Sequence, residues 1–327
     1  NLSSGKWSVP SCVGENQAKP PGRLMAASAK ASNSTLIVFG GTPSALASTM
    51  FNDLWSYDVS MCDWKLLFAN SCDDSEGKPM DAGTCREKGL DCAGSVNCPC
   101  SRHSVAGASS NGTVFLFGGR TFSASSNSGF LNDLWMWTLA EDGQAAGWHK
   151  AQFDTATWPG ARYRSAFVAT ENRLFVYGGM RKDEWNKNRV INDLWSLQQR
   201  VSGPGNNDTF DATREFFDDQ DNPSCSNDLA CPDQRQEPAV VALPDGVVVF
   251  GGLRGAGSTA ASSKVWLWRP ASMKWYLLKG EEFTGTLGRY RTAASSTASP
   301  PTITIVGGLL GKVSSPRNDV WSFLVGC

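Results

Sequence analysis

The sequence predicts an all-β fold, a five-bladed β-propeller, in a single domain that spans residues 1–327. Two observations carry this prediction. An apolar strand that ends in Gly-Gly occurs five times, and each copy is followed 10 to 13 residues later by a second strand that carries tryptophan. The composition agrees, because 33 Gly and 13 Trp are typical of a repetitive all-β protein with a turn and an aromatic plug in every repeat.

The Gly-Gly strand is the most regular element of each repeat. Two adjacent glycines let the backbone turn through positive φ and let a neighbouring blade approach closely. The five copies are Ile37–Gly41, Phe115–Gly119, Phe175–Gly179, Val248–Gly252 and Ile305–Gly308. An arginine precedes each copy, at Arg23, Arg102, Arg162, Arg235 and Arg289. Because these arginines recur with the repeat, we interpret them as scaffold residues that form buried ion pairs or cap strand ends. The alternative is that they line one mouth of the central channel.

The next strand of each repeat carries the aromatic residues. Its signature is Asn-Asp-Leu-Trp or Asn-Asp-Val-Trp in four repeats, ending at Trp55, Trp135, Trp195 and Trp321. In the fourth repeat Lys264-Val265 replaces Asn-Asp before Trp266, which leaves the turn of that blade in question. A second large side chain often follows two residues later. Residues i and i+2 share one sheet face, so these rings should fill the space between blades.

This order of motifs resembles the kelch-repeat β-propeller family, of the extracellular, disulfide-containing type with galactose-oxidase-like motifs. The resemblance covers nearly the whole chain and implies four-stranded blades in which Gly-Gly ends the second strand. Kelch propellers often have six blades, and six remains the alternative here. It would require a blade hidden in residues 69–100, which contain no Gly-Gly strand and too few apolar residues for a four-stranded sheet.

Closure of the ring is predicted from the two chain ends. The fifth repeat stops at Phe323–Val325 without a fourth strand, whereas Lys6–Val9 is an extra strand before the first repeat. We expect Lys6–Val9 to complete the fifth blade, with Trp7 beside the strand that holds Trp321. Cys12 and Cys327 would then lie close enough to form a disulfide.

Two segments do not fit the blade plan, residues 69–100 and 198–233, and we interpret both as Cys-rich excursions between blades. Ten cysteines point to an oxidising compartment. We expect Cys225 to pair with Cys231 and the remaining cluster to pair within itself; the cluster comprises Cys62, Cys72, Cys85, Cys92, Cys98 and Cys100. Zinc is disfavoured because Cys98-Pro99-Cys100 has only one intervening residue.

Four glycosylation sequons also favour a secreted or cell-surface glycoprotein, at Asn1, Asn33, Asn111 and Asn207. The chain opens without a signal peptide, so Asn1 is interpreted as a mature or excised start. It contains no apolar run long enough to span a membrane. Its 30 basic and 31 acidic residues argue against a nucleic-acid partner.

No residue pattern predicts a catalytic site, cofactor or metal. Galactose oxidase needs two histidines and two tyrosines around copper, but this chain has only His103 and His149, which we expect to be structural. Kelch-fold sialic acid epimerases use arginines and acidic groups, which keeps an enzyme open as an alternative. The acidic run Asp218–Asn222 could hold calcium, but it lacks the glycine and terminal glutamate of an EF-hand loop and is read as solvated.

The strongest binding candidate is the loop Met180–Val190, which joins the second and third strands of the third repeat. It contains Arg181, Lys182, Asp183, Glu184, Trp185 and Arg189. Tryptophan and arginine dominate interaction hot spots, although Trp185 could also fold back on its own blade. With the loops at 42–51 and 120–131, it predicts a non-catalytic extracellular module for protein interaction, adhesion or structural assembly. The alternative is a carbohydrate-binding or carbohydrate-active propeller that acts at the channel mouth.

Overall fold

The computed structural model describes residues 18–44, 50–69, 72–73, 79–80, 98–121, 129–138, 147–200, 209–216, 231–255, 260–280, 288–298, 301–310, 316–317 and 319–325. In this part of the chain the fold is all-β, with one short 3-10 turn at Thr155–Thr157 and no α-helix. Five antiparallel sheets follow one another around a ring, which confirms the predicted five-bladed propeller. No helix in these ranges is long and apolar enough to cross a membrane.

Strands follow chain order within each blade, from the channel outward. Blade one consists of β1 (Ala27–Lys30), β2 (Thr35–Phe39), β3 (Leu54–Asp58) and β4 (Asp63–Phe68), and a small hairpin follows, β5 (Cys72–Asp73) and β6 (Pro79–Met80). Blade two consists of β7 (Ala106–Ser110), β8 (Thr113–Arg120), β9 (Phe130–Thr138) and β10 (Gly147–Lys150). Blade three consists of β11 (Ala166–Ala169), β12 (Leu174–Lys182), β13 (Asn188–Gln199) and β14 (Phe210–Phe216).

Blade four consists of β15 (Ala239–Leu243), β16 (Gly246–Phe250), β17 (Val265–Arg269) and β18 (Lys274–Lys279). Blade five has three described strands in its main sheet, β20 (Ala293–Ala298), β21 (Pro301–Val306) and β23 (Val320–Leu324), and a short pair beside it, β19 (Arg289–Tyr290) and β22 (Leu309–Leu310). Lys6–Val9, the predicted fourth strand of this blade, lies outside the described residues.

Four apolar cores lie between successive blades, joining one to two, two to three, three to four and four to five. The prediction that paired aromatic residues of the third strands fill the space between blades is confirmed in blades two and four. Trp135 and Trp137 face blade one, and Trp266 and Trp268 face blade three. All four side chains are at most 4 % exposed. Since each aromatic side chain buries about 150–250 Å², these rings supply much of the contact between blades.

The repeated Arg, Asp and Trp form one interaction unit in four blades. The Arg162 guanidinium makes two hydrogen bonds to the Asp193 carboxylate (2.6 and 3.0 Å), and the Trp195 indole N–H donates to the same carboxylate (2.8 Å). The same three contacts recur at Arg23–Asp53–Trp55, Arg102–Asp133–Trp135 and Arg289–Asp319–Trp321. The opening arginines are therefore in ion pairs within the scaffold.

Blade four builds this unit differently from the sequence expectation. Val265 pairs with Phe250 as Leu194 pairs with Tyr177, so Lys264 stands at the position of the motif aspartate, and the proposed replacement of Asn-Asp by Lys264-Val265 was one residue out of register. Arg235 instead pairs with Asp233, two residues before it (Nε to Oδ1 2.9 Å). The Trp266 indole N–H has no hydrogen-bond partner among the described residues.

The predicted excursion at residues 198–233 is partly wrong. Its segment Phe210–Phe216 is β14, the outer strand of blade three, which pairs with β13 from Leu194 to Gln199. The strand escaped prediction because Ala212 stands opposite Leu197, where the other described outer strands carry tryptophan. Phe210 packs into the core between blades two and three, and Phe216 packs into the core between blades three and four.

Among the described cysteines, Cys62, Cys98 and Cys231 are disulfide-bonded. The predicted partner of Cys231, Cys225, lies outside the described residues, as do Cys12, Cys85, Cys92 and Cys327, and nothing is described of the Cys72 side chain. The predicted pairings therefore stay predictions. For Cys100 the predicted pairing within the cluster is wrong, because its buried sulfur is a thiol that accepts a hydrogen bond from Arg102 Nη2 (3.4 Å).

The propeller has two distinct faces. At one end lie the five Gly-Gly pairs and the connections from second to third strands; we call it the Gly-Gly face. At the other end lie the turns that join first to second and third to fourth strands; we call it the turn face. Because antiparallel strands alternate in direction, every blade presents the same kind of connection to the same face.

Candidate functional site

The predicted binding loop is an ordered hairpin on the Gly-Gly face. β12 and β13 stay paired up to its tip, through Arg181 with Arg189 and Lys182 with Asn188. Asp183 Oδ1 closes the turn by accepting hydrogen bonds from the backbone N–H groups of Trp185 (3.0 Å) and Lys187 (2.7 Å). Asp183 is therefore occupied in holding the turn, and apart from Glu184 the charged and ring side chains of the hairpin are cationic and aromatic.

Trp185 stands at the tip of this hairpin with 71 % of its surface exposed. At the base of the hairpin, Met180 and Val190 are buried at 4 % and 2 % exposure and fix it to the blade. Glu184 is exposed beside the indole. The hairpin therefore presents a large apolar ring to water from a fixed support, and the ring is not folded back onto the blade.

An aromatic and cationic cluster that the sequence did not reveal lies at the foot of the hairpin. The rings of Phe130 and Tyr163 are in contact at 4.5 Å between centroids, across the boundary between blades two and three. Lys182 Nζ lies 5.7 Å from the Phe130 ring, and the Arg120 guanidinium lies 5.9 Å from Phe130 and 6.0 Å from Tyr163. Such cation–π contacts hold charges over rings without using up their hydrogen bonds.

The predicted residues of the loop come together only in part. Arg181, Lys182 and Arg189 lie side by side on the two strands, and Trp185 and Glu184 form the tip. The two other predicted rim loops are described only at their ends, since residues 45–49 and 122–128 lie outside the described ranges. Nothing in the sequence motifs signals Phe130 or Tyr163, because their contact depends on how two blades pack.

A ring of five equivalent residues surrounds the channel mouth on the same face. Each follows an opening arginine by two residues and has a left-handed backbone; the members are Met25, Ser104, Arg164, Glu237 and Arg291. Each backbone N–H from Ser104 onward donates to the carbonyl of the preceding member, at 2.8 to 3.2 Å. The sequence signal for this ring is the fixed offset from the arginine, which our sequence reasoning did not use.

The turn face carries a groove of about 990 Å³ at the other end of the channel. Turns of blades two to five line it, with hydroxyl and amide groups such as Thr170, Asn172 and Ser296 beside Pro244 and Pro270. Asn111, one of the predicted glycosylation sites, lies at its edge and donates a hydrogen bond from Nδ2 to the Glu171 carbonyl (3.3 Å). The predicted site Asn33 is exposed on the same face in blade one.

Ion pairing decides the charge state of the scaffold units. Burial alone would raise the pKa of the Asp133 and Asp193 carboxyls, but the adjoining guanidinium groups outweigh it, and the pKa of each lies below its ordinary value. These carboxylates are held by Arg and Trp donors and are not placed to act on a ligand.

Comparison with protein-family models finds no match to this chain, and comparison with curated proteins finds none.

Proposed function

We propose that this chain is a kelch-type propeller that works outside the cell as a non-catalytic interaction module, secreted or at the cell surface. Its partner surface is the Gly-Gly face around the hairpin of blade three. The observation that carries this proposal is Trp185, which is 71 % exposed at the tip of a turn that Asp183 holds in place. Adhesion and structural assembly are the processes such a rigid platform serves.

The physical argument rests on the cost of leaving Trp185 in water. An indole ring gains free energy from burial, and a fixed support limits the conformational entropy lost when a partner covers it. Around it, Arg181, Lys182 and Arg189 supply long side chains that pair with acidic groups. A partner with an apolar pocket and a carboxylate-rich rim fits this chemistry.

The positions of the sequons support the same orientation. Asn33 and Asn111 are both exposed on the turn face, and Asn207 lies outside the described residues. Glycans attached there would cover the turn face and leave the Gly-Gly face open. We therefore infer that a partner approaches from the side opposite the sugars.

The second candidate function is carbohydrate binding, and the groove on the turn face favours it. Its hydroxyl and amide lining suits the hydrogen bonds of a neutral sugar. Screening the purified protein against a glycan array tests this candidate. Binding that is lost in Thr170→Ala or Asn172→Ala but kept in Trp185→Ala would replace the first proposal with the second.

The proposal is tested by placing a photo-crosslinking residue at position 187, next to Trp185, and identifying captured extracellular proteins. Affinity for each is then measured with Trp185→Ala and with Met61→Ala, a matched control that is 73 % exposed in a turn on the opposite face. We expect Trp185→Ala to weaken association by about 2 kcal/mol or more, the usual loss at a hot spot, and Met61→Ala to leave it unchanged. Equal affinity of all three proteins would remove Trp185 from the interface.

A further inference from the structure

The mouth of the channel on the Gly-Gly face gathers more positive than negative charge. Glu237 is the only carboxylate in the five-residue ring, and its side chain is 8 % exposed. Arg164 approaches it with Nε to Oε1 at 3.0 Å, and Arg291 makes two hydrogen bonds to it, at 2.8 and 2.9 Å. Two guanidinium groups thus share one carboxylate, which leaves one positive charge without a counter-charge among the described residues.

Arg120 adds a second uncompensated charge from the end of β8. Its backbone exchanges two hydrogen bonds with His103 (2.9 and 3.0 Å), which places it against the residue that precedes ring member Ser104. Its guanidinium lies over Phe130 and Tyr163 and has no carboxylate partner among the described residues. Arg164 lies 5.2 Å from the same Tyr163 ring, so the two arginines flank one aromatic side chain.

His103 lies amid these charges. Its Nδ1 is 2.9 Å from the Ser104 hydroxyl, which leaves Nε2 for another partner. Burial lowers the pKa of His103, and the charges of Arg120, Arg164 and Arg291 lower it further, to about 4. The imidazole is therefore neutral at physiological pH, and three arginines and one glutamate give the described residues of the mouth an excess of about two positive charges.

We propose that this mouth binds a doubly charged oxyanion, with Arg120, Arg164 and Arg291 as its charge partners and His103 as a neutral hydrogen-bonding group. Guanidinium groups present planar forks of donors that match tetrahedral oxyanions. A phosphate monoester carries about 1.5 to 2 negative charges at neutral pH, which balances the excess, whereas a single carboxylate leaves half of it unbalanced. The ligand class is therefore phosphate, free or as a monoester. The site does not include Trp185, although it lies on the same face, at the foot of the same hairpin.

The two histidines of the chain allow a direct test by NMR. His149 is exposed in β10 of blade two and serves as the internal control. Sulfate is the probe for a pH titration, because it stays doubly charged where His103 titrates. At constant ionic strength, we expect sulfate to raise the pKa of His103 from about 4 toward its ordinary value and to leave the His149 resonance unchanged. An unchanged His103 titration would overturn the proposal, and so would an equal effect of chloride.

Binding calorimetry at neutral pH then identifies the source of the anion, with inorganic phosphate in one arm and glucose 6-phosphate in the other. Tighter binding of the monoester points to an organic phosphate, and tighter binding of the inorganic ion points to free phosphate. Each result supports an oxyanion site. Failure of both anions to bind would refute it.

Amino-acid substitutions test whether the oxyanion binds at the channel mouth on the Gly-Gly face. Arg120→Gln keeps the backbone contacts of β8 and should raise the phosphate Kd about tenfold or more, the cost of one lost charge-assisted hydrogen bond. Without any anion, it should also raise the pKa of His103, since one of the surrounding charges is removed. Lys274→Gln, which removes an exposed charge from the outer strand of blade four, is the control and should change neither quantity. An unchanged Kd in Arg120→Gln would overturn the assignment.

Discussion

The interface between blades two and three and the seam between blades five and one come from the same repeat but differ in packing. Between blades two and three, thirteen buried residues form a continuous apolar core. Between blades five and one, no buried apolar core occurs among the described residues, and Val320 and Leu324 of β23 are 36 % and 65 % exposed. Among the described residues, the repeat motif therefore builds four apolar interfaces.

The ion pairs show the same contrast. In blade three the side chains of Arg162 and Asp193 are 0 % and 1 % exposed, whereas in blade five Arg289 is 2 % and Asp319 is 39 % exposed. The distances are nearly equal, at 2.6 and 2.7 Å. What differs is access of water to the carboxylate, and water decides how much an ion pair contributes to stability.

The largest expected effect is the loss of the buried partner in blade three. Asp193→Ala leaves the Arg162 guanidinium buried without its counter-ion and should lower the free energy of unfolding by about 3–5 kcal/mol. Asp319→Ala makes the same change where the carboxylate is exposed and water can approach, and it should cost less, about 1–3 kcal/mol, because Arg289 itself is buried. Urea unfolding of both variants measures the difference. Equal losses would show that the seam is as dry as the other interfaces.

The prediction of the fold from sequence succeeded where the determinants are local. Gly-Gly pairs recur in all five blades and the Asp-x-Trp spacing recurs in four, so β strands and inter-blade aromatic residues such as Trp135 could be foreseen. The outer strand β14 and the Asp233 counter-ion could not be foreseen from the motifs. In both cases the residue that takes over the role of a motif residue stands at a different position in the sequence. The mouth cluster of Arg120, Arg164 and His103 was equally hidden, since it forms only when blades two and three meet.

A second comparison concerns the first glycine of the Gly-Gly pair in blade three and in blade five, where another stretch of backbone lies very close. Gly178 has φ +60°, and a Cβ there would lie 2.7 Å from the Arg235 carbonyl oxygen of the next blade. At Gly307 the nearest such atom is the Arg317 carbonyl oxygen of its own blade, at 2.9 Å. Both Gly→Ala changes strain the backbone, but only Gly178→Ala also pushes two blades apart.

We expect Gly178→Ala to cost about 2 kcal/mol or more, from backbone strain together with overpacking. Gly307→Ala should cost less, because its clash stays within blade five. Thermal unfolding of the two variants decides the order. A larger loss for Gly307→Ala would mean that blade five contacts blade one as tightly as the internal blades contact one another.

Blade four offers a smaller test, because its counter-ion has moved from the motif position to Asp233. Asp233→Asn should cost about 1–3 kcal/mol, since Arg235 is fully buried and loses a charged acceptor. Lys264→Asp restores the motif carboxylate and supplies an acceptor for the Trp266 indole N–H. In that background Asp233→Asn should cost less, which a double-mutant cycle in urea would measure. Additive losses would show that the two positions do not share the role.

The smallest effect on stability is expected when the pH is lowered. It concerns the Arg289–Asp319 ion pair of blade five, in which the carboxylate is exposed. Hydrogen bonds from Arg289 lower the pKa of Asp319 to about 2, against about 4 in an unfolded chain. A carboxyl whose pKa is lowered by folding stabilises the protein above its unfolded pKa, and this contribution is lost as the pH falls through its folded pKa. The stability difference between the protein and Asp319→Asn should therefore be constant above about pH 5 and shrink between about pH 4 and pH 2. Urea unfolding across that range measures it at low salt, where screening is weakest. A difference that persists undiminished at pH 2 would mean that the Asp319 carboxylate stabilises blade five by something other than its charge.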